Sequence, residues 1–250
     1  MPPVRGLRVH LLGVLEVEGR STLSLGCRRA RTLLRRLAVA RSRPVPVADL
    51  LTAVWPVAPP ARSPQQLSVL VSRLRHVVGP ERLVRGDVGY ALRPDWLDLV
   101  ALEQATTTCE GALAAQQGAR ARRIGLAALG LARGPLLPEE AEATWLEAER
   151  LVLDRGVTHL RLLTAEAALR TGASWEATEL ARRCRDADPY DEVALRLVLR
   201  GLAAGGQVAA AVATYLAALA QLRTELGTGL SPETEELYLA LLRDGRVPAR

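Results

Sequence analysis

The spacing of apolar residues changes along the chain, and this change predicts two regions of different architecture. In residues 7–25, LRVHLLGVLEVEGRSTLSL, short apolar runs alternate with polar positions around Glu18-Gly19-Arg20. Alternation with a period of two, interrupted by a glycine turn, predicts a small antiparallel sheet without a helix. From Leu97 onward, the apolar residues recur at helical spacing, which predicts helices throughout.

Three helices and a hairpin are predicted between these two regions. The first helix covers 27–40, the second covers 47–55, and the third covers 63–78. The stretch LVRGDVGYAL, residues 83–92, then places apolar strand residues on both sides of a glycine-containing turn, which predicts a β-hairpin. A small sheet, three helices and a hairpin, in this order, are typical of a winged helix-turn-helix.

The third predicted helix has one apolar side and one polar side. Ser63 is placed to cap this helix, Pro64 suits its first turn, and Gly79 ends it. At about 100° per residue, the apolar side that must face a core consists of Leu67, Leu70, Val71, Leu74 and Val78. The opposite side consists of Gln65, Val69, Ser72, Arg73 and His76, with Arg75 on the flank.

The polar side of this helix carries the chemistry of a base-contacting surface. An α-helix about 12 Å across fits the major groove of DNA. There Arg donates to guanine, Gln pairs with adenine, and Val contacts a thymine methyl group. The alternative is that these polar residues only solvate a surface helix.

The second region is predicted to be helical. The motifs LRTG, residues 169–172, and LAAG, residues 202–205, recur 33 positions apart, close to the period of tetratricopeptide helix pairs. Stacked pairs of this kind bury a continuous core and leave a concave surface for partners. The helices are placed near 97–116, 119–133, 140–171, 175–187, 190–204, 207–226 and 232–243.

The distribution of charge supports a division of the chain at residue 96. Residues 1–96 contain 16 Arg and 6 acidic residues, whereas residues 97–250 contain 17 Arg and 21 acidic residues. A basic half joined to an acidic half is expected when a nucleic-acid-binding module precedes a domain of another kind. A solvated basic surface without a polyanionic partner remains the alternative. We predict two domains, 1–96 and 97–250, and a mainly α fold with a small N-terminal β portion.

Several functional classes are not expected from this sequence. Cys27, Cys109 and Cys184 lie far apart, which argues against a disulfide framework or a zinc site and favours a reduced cytosolic protein. The N-terminal stretch lacks the apolar core of a signal peptide, and glycines interrupt the uncharged stretch 201–222, so no membrane association is expected. The three His residues have no catalytic partners at motif spacing, and a chain without Lys cannot form a P-loop. We therefore expect no enzyme activity, no cofactor and no metal.

Taken together, the motifs resemble those of the SARP family of actinobacterial transcriptional activators. The similarity runs from about residue 7 to residue 242 and is carried by RRARTLL, RPVPVADLLTAVW, PPARSPQQLSVLVSRLR, GDVGYAL, WLEAERLVL, DPYDEVALRLVL and TELGTGLSPETEELY. The resemblance implies an OmpR-type winged helix followed by a bacterial transcriptional activation domain with tetratricopeptide-like repeats. It further implies an activator that binds direct repeats of double-stranded DNA near promoters, often as a side-by-side homodimer. Such an activator recruits RNA polymerase with its sigma factor, here to a gene cluster for a secondary metabolite (antibiotic biosynthesis). The protein itself is then expected in the cytoplasm, associated with the nucleoid.

The resemblance also assigns roles to individual positions. Val69 and Arg73 match base-contacting positions, Arg75 matches a phosphate contact, and Arg85 matches a wing residue that enters the minor groove. The segment 56–62 matches a turn that can touch polymerase. The DNA-binding candidates are Gln65, Val69, Ser72, Arg73, Arg75, His76, Arg85 and the wing residue Tyr90.

Four positions depart from the family pattern: Pro46, Pro64, Leu70 and Ala91. Leu70 replaces a residue that usually offers a polar group to the DNA backbone, and Pro64 replaces a polar or basic residue. These departures keep open the alternative of a protein-interaction adaptor whose winged helix has weakened or lost DNA binding.

Overall fold

The computed structural model describes residues 6–20 and 22–244, and the chain packs as two compact units. The first unit comprises 1–104 together with 130–154, and the second comprises 105–129 together with 155–250. Residue 21 of the predicted sheet and the outermost residues of both predicted domains lie outside the described residues. The boundary at residue 96 stays a prediction about sequence regions, because packing assigns residues 130–154, here called the connector segment, to the first unit.

A small sheet opens the first unit. Strand β1 (Arg8–His10) pairs antiparallel with β2 (Glu16–Val17) and parallel with β6 (Trp96–Leu97). The turn after β2 contains Gly19 at φ 71°, a left-handed conformation that favours glycine. Residues 22–25 add a short 3-10 turn where only strands had been expected.

The buried Asp98 ties this sheet to the following helix. Its Oδ2 accepts hydrogen bonds from the backbone N–H groups of Leu11 and Leu12, at 2.7 and 2.8 Å. Burial raises the pKa of Asp98, although the hydrogen bonds from Leu12, Leu11 and Leu99 act in the opposite direction. A single carboxylate therefore joins two segments more than 80 residues apart in sequence.

The three helices and the hairpin of the predicted winged helix are confirmed. Helices α1 (Arg28–Val39), α2 (Val47–Val54) and α3 (Ser63–Val78) precede strands β4 (Leu83–Arg85) and β5 (Gly89–Leu92). Strand β3 (Val45–Pro46) completes a sheet with the order β3-β5-β4. Strands β3 and β5 approach so closely that a Cβ atom at Gly89 would overlap the Val45 carbonyl.

The ends of α3 were predicted with one error. Ser63 is the first residue of the helix and is buried, and its side chain does not cap the helix, which Arg62 precedes. Pro64 lies in the first turn as predicted, where the N–H group that proline lacks would have no partner within the helix. Gly79, at φ 104°, ends the helix as predicted.

The connector segment corrects the helix predicted at 140–171. Only Glu147–Arg170 forms the long helix α6, and the residues before it form two 3-10 turns, Pro138–Glu140 and Thr144–Leu146. Leu136 forms an isolated bridge with Leu12, and the Leu137 N–H donates to the Leu11 carbonyl at 3.2 Å. Leu136, Leu137 and Leu146 are buried, and the backbone of the first two contacts the N-terminal region where the turns begin.

The remaining helices agree with the predicted bounds to within about two residues at each end, except that α5 ends four residues before the predicted position 133. They are α4 (Asp98–Ala114), α5 (Gly118–Leu129), α7 (Ser174–Ala187), α8 (Glu192–Ala204), α9 (Val208–Leu226) and α10 (Pro232–Asp244). No described helix is both long enough and apolar enough to cross a membrane.

Among the described residues, three helix pairs are joined by the same kind of tight turn. The central residue of each turn is left-handed: Gln116 at φ 58°, Gly172 at φ 75° and Gly206 at φ 76°. In each turn the next residue donates its N–H to the carbonyl five residues earlier, at 2.8 to 2.9 Å. The predicted recurrence is therefore real, but its equivalent glycines are Gly172 and Gly206, and a third turn uses glutamine.

Candidate nucleic-acid interface

Helix α3 presents the polar side that its sequence predicted. Leu67, Leu70, Val71, Leu74 and Val78 are buried, whereas Gln65, Ser72, Arg73 and His76 are exposed. Val69 lies among them with half of its surface exposed, at 50%. An exposed apolar side chain between polar neighbours is suited to contact a thymine methyl group in the major groove of DNA.

Arg73 and His76 differ in how they are held. Arg73 forms no hydrogen bond or ion pair with any described residue, so its guanidinium is available to a ligand. His76 lies along the helix, with Nδ1 2.7 Å from the Ser72 carbonyl oxygen. Because a carbonyl can only accept, Nδ1 must carry the proton in this contact.

Arg75 connects α3 to the hairpin. It is half-buried, and its Nε donates to the Leu83 carbonyl oxygen in β4 at 2.9 Å. The Nη groups of Arg75 form no bond with a described residue, which leaves them for a phosphate oxygen. Arg75 can therefore position the wing relative to α3 and contact a backbone at the same time.

The hairpin carries the other predicted contacts. Arg85 is exposed and lies opposite Tyr90 in the β4–β5 pairing, with its guanidinium carbon 5.8 Å from the centre of the Tyr90 ring. Tyr90 is only 5% exposed, so the structure places it as a support for Arg85 and corrects the expectation of an open contact surface at this residue.

Ion pairing separates the arginines of the first unit into two groups. The arginines with a carboxylate partner within 4 Å are Arg8, Arg35, Arg36, Arg41, Arg82 and Arg133. Within the described part of the chain, the arginines of α3 and the hairpin strands have none, and neither does Arg62, which directly precedes α3. The uncompensated positive charge therefore includes the helix and wing that were predicted to contact nucleic acid.

Arg62 was missed as a site candidate by the sequence analysis. It is exposed and lies at the N-terminal end of α3. Its position directly before the predicted Ser63-Pro64 helix start could have identified it, since residues that begin a recognition helix face the groove.

The departures from the family pattern have structural explanations. Leu70 is 6% exposed and packs in the core, as its position on the helix predicted, so it cannot contact a DNA backbone. Pro46 lies at the end of β3, directly before α2, and Ala91 is buried in β5. Each replacement fits its place in the packing.

The described residues hold no candidate metal cluster. They contain no group of three or more His, Cys, Asp or Glu side chains that could hold a metal ion. Cys109 and Cys184 are buried, and burial raises the pKa of the Cys184 thiol to about 11, which disfavours its reactive thiolate form.

The chain is similar to known proteins over nearly its whole length. The bacterial transcriptional activator domain family matches residues 97–242. The regulatory protein AfsR of Streptomyces griseus is 29% identical over 247 residues, which cover 98% of this chain and 25% of AfsR. The transcriptional regulatory protein MoaR1 of Mycobacterium tuberculosis is 25% identical over 249 residues, covering 95% of this chain and 79% of MoaR1.

One solved structure matches over nearly the whole chain. It is Mycobacterium tuberculosis EmbR in complex with a low-affinity phosphopeptide, at a TM-score of 0.86 and 25% identity, covering 97% of this chain and 66% of EmbR. The chain thus spans about a quarter of the length of AfsR and about two thirds of that of EmbR.

Proposed function

The chain belongs to the bacterial transcriptional activator domain family, and from this membership we propose that it is a sequence-specific DNA-binding transcriptional activator. Its relatives are transcriptional regulators, which confirms the resemblance to SARP-type activators that the sequence motifs carried. In the proposed function, α3 enters the major groove of a promoter and Arg85 reaches into the adjacent minor groove.

The observation that carries this proposal is the open side of α3. Arg73 has a guanidinium without an acidic partner among the described residues, next to the exposed Val69 and Ser72. Such a free, forked donor on a groove-sized helix can make two hydrogen bonds to guanine, and this contact gives sequence preference. Arg75 and Arg62 supply charge for phosphate contacts, which give affinity but no preference.

The competing function, an adaptor with an inactive winged helix, rested on Pro64 and Leu70. Pro64 lies in the first turn of α3, where proline costs no hydrogen bond, and Leu70 is part of the buried side. Both residues are therefore accommodated without changing the polar side, and this favours DNA binding over the adaptor.

We assign the activation step to contacts with RNA polymerase and its sigma factor. The turn 56–62 between α2 and α3 is largely exposed, and the Val57 side chain is 98% exposed. A largely open turn next to the recognition helix is well placed to meet a polymerase bound at the same promoter. Binding to direct repeats as a homodimer, cytoplasmic and nucleoid-associated localisation, and control of a secondary-metabolite cluster are parts of the same proposal.

The proposal is tested by selecting bound fragments from genomic DNA with the purified full-length chain. The recovered sequences should share a direct repeat, and gel-shift titrations over a range of salt should separate this repeat from a scrambled control by about three orders of magnitude in affinity. Equal, weak binding to both duplexes would refute sequence-specific recognition and favour the adaptor.

A further inference from the structure

A cavity of about 830 Å³ opens in the first unit between helices α1 and α2 and the connector segment. This volume is in the range of pockets that hold small organic molecules. None of the candidate DNA-binding residues lines the cavity. Its walls include Arg28, Arg36, Asp49, Val57, Glu142 and Trp145.

Most charges in the cavity wall already have partners within the protein. The Arg36 Nη2 lies 3.7 Å from the Asp49 Oδ2, and the Arg36 guanidinium carbon lies 5.6 Å from the centre of the Trp145 ring. Glu139 and Glu140 both form ion pairs with Arg35, at 2.8 Å. These contacts build the wall and leave little charge for a ligand.

Two charged side chains of the wall are not used in this way. Arg28 and Glu142 are exposed, and neither forms a hydrogen bond or an ion pair with any residue that the structure describes. One is a cation on the first turn of α1, and the other is an anion in the connector segment. The cavity thus offers a free donor and a free acceptor of opposite charge.

Two further polar atoms in the wall lack a partner. The Nε of Arg36 and the Oε2 of Glu139 are buried without a hydrogen bond to any described residue. Because these two atoms have almost no accessible surface, they are closed to a ligand in the cavity. Arg28 and Glu142 are the charged groups left to pair with one.

The rest of the wall combines apolar side chains with the hydroxyl groups of Thr52 and Thr144. Ala53, Val57 and the half-buried Trp145 line the space between the charged groups. A matching ligand needs a cationic group, an anionic group and an apolar body.

We propose that this cavity binds a zwitterionic, peptide-like small molecule with apolar side chains. Its carboxylate pairs with Arg28, its ammonium group pairs with Glu142, and its apolar body packs on Val57 and Trp145. Such a molecule would bridge α1, the turn that follows α2, and the connector segment. The binding site itself does not depend on the proposed DNA-binding function.

The full-length chain and the tripeptide trileucine provide the test, by calorimetric titration and by tryptophan fluorescence. We expect saturable binding with a dissociation constant below about 1 mM. Trileucine that is acetylated at its N-terminus and amidated at its C-terminus lacks both terminal charges, and it should bind at least about tenfold more weakly.

Variants locate the site. Arg28→Gln and Glu142→Gln should each weaken trileucine binding by about tenfold, because each removes one charged hydrogen-bond partner. Arg123→Gln and Glu233→Gln make the same changes at exposed positions outside the cavity and should leave binding unchanged. Trp145→Phe should remove most of the fluorescence response while heat is still released.

Two results would overturn the proposal. One is the absence of heat and of a fluorescence change with trileucine up to about 5 mM. The other is binding that both cavity variants retain in full. Gel shifts of the same proteins measure DNA binding separately, so failure of this site and failure of the proposed function can be told apart.

Discussion

At the scale of single residues, the side chains of α3 and the wing divide into those that would specify a sequence and those that would add affinity. Arg73 and Val69 are exposed on the open side of the helix, where base edges would lie. Arg75 is half-buried and bound to the Leu83 carbonyl, which fixes its direction. Arg85 rests over Tyr90. The proposed DNA binding depends on the arginines that have no carboxylate partner among the described residues.

Arg73→Ala should lower affinity for the selected repeat by about 1–3 kcal/mol and loosen the sequence preference, because a bidentate contact to one base is lost. Arg75→Ala should weaken binding to all sequences alike and lower the salt dependence by about one charge. Gel-shift titrations of both variants on the repeat and on a scrambled duplex measure the difference.

Arg75→Ala should also lower the free energy of unfolding by about 1 kcal/mol, since its bond to β4 is lost. Arg73→Ala has no such bond to lose and provides the control in urea unfolding. If both variants change specificity to the same extent, the division of roles between Arg73 and Arg75 is wrong.

At the scale of elements, the connector segment completes the first unit. The Arg35 side chain on α1 is 7% exposed and lies between the carboxylates of Glu139 and Glu140, both at 2.8 Å. Thr32 donates to the same Glu140, and the Leu15 N–H donates to Glu139. Helix α1 is thus held in place by residues that lie about 100 positions away in sequence.

Arg35→Ala should lower the free energy of unfolding by about 3 kcal/mol, because it leaves two largely buried carboxylates without their cation. Urea unfolding followed by tryptophan fluorescence reports on this unit, which contains Trp55, Trp96 and Trp145. Arg28→Ala, on the same helix but without an ion pair to a described residue, should stay within about 0.5 kcal/mol of the wild type. Equal stability of the two variants would show that the connector does not hold α1 through this pair.

In the second unit, an ion pair between α5 and α7 makes stability depend on pH. Arg122 donates two hydrogen bonds to Glu176, at 2.7 and 2.9 Å, and these bonds hold the pKa of Glu176 below its ordinary value of 4.5 despite partial burial. A carboxyl with a lowered folded-state pKa contributes stability above its unfolded-state pKa and loses it as pH falls through the folded-state value.

Glu176→Gln should therefore cost up to about 1 kcal/mol at neutral pH, and this cost should vanish as the pH is lowered to about 3. Urea unfolding followed by circular dichroism at both pH values measures the effect. Glu179→Gln, which breaks a more exposed pair with Arg182, should cost less. A cost that is the same at both pH values would contradict the ionic origin.

At the scale of the whole molecule, the predicted partner is a pair of direct repeats. Two copies bound head-to-tail on one face of a duplex would contact each other through different surfaces. Cooperativity then depends on the helical phase of the repeats. Moving one repeat by about half a turn of DNA, roughly 5 base pairs, places the second copy on the opposite face.

Such a half-turn insertion should lower cooperative binding at least fivefold. An insertion of about 10 base pairs should return both copies to the same face of the duplex and restore part of the cooperativity. Gel-shift titrations on the three duplexes measure this effect. Binding that is indifferent to spacing would contradict side-by-side assembly and leave independent monomers.

The sequence by itself determined the local structure of this protein. Helical spacing identified the buried and exposed sides of α3, and a glycine-containing turn identified the hairpin. These features depend on residues that are neighbours in sequence, so local periodicity and turn residues are enough to predict them. A break between helices was predicted near Gln116, but its likeness to the turns at Gly172 and Gly206 was not, because glutamine gives no such signal.

Only the tertiary structure decided which distant segments meet. It placed the connector segment in the first unit, gave Arg35 its two carboxylates, and buried Asp98 beneath the backbone of Leu11 and Leu12. Residues 140–146 had a pattern that suited a helix, yet they lie in two 3-10 turns and the residues between them, directly after the buried Leu136 and Leu137, whose backbone contacts Leu12 and Leu11. Such pairings are decided by burial and by charges brought together over roughly a hundred residues, and local spacing does not encode them.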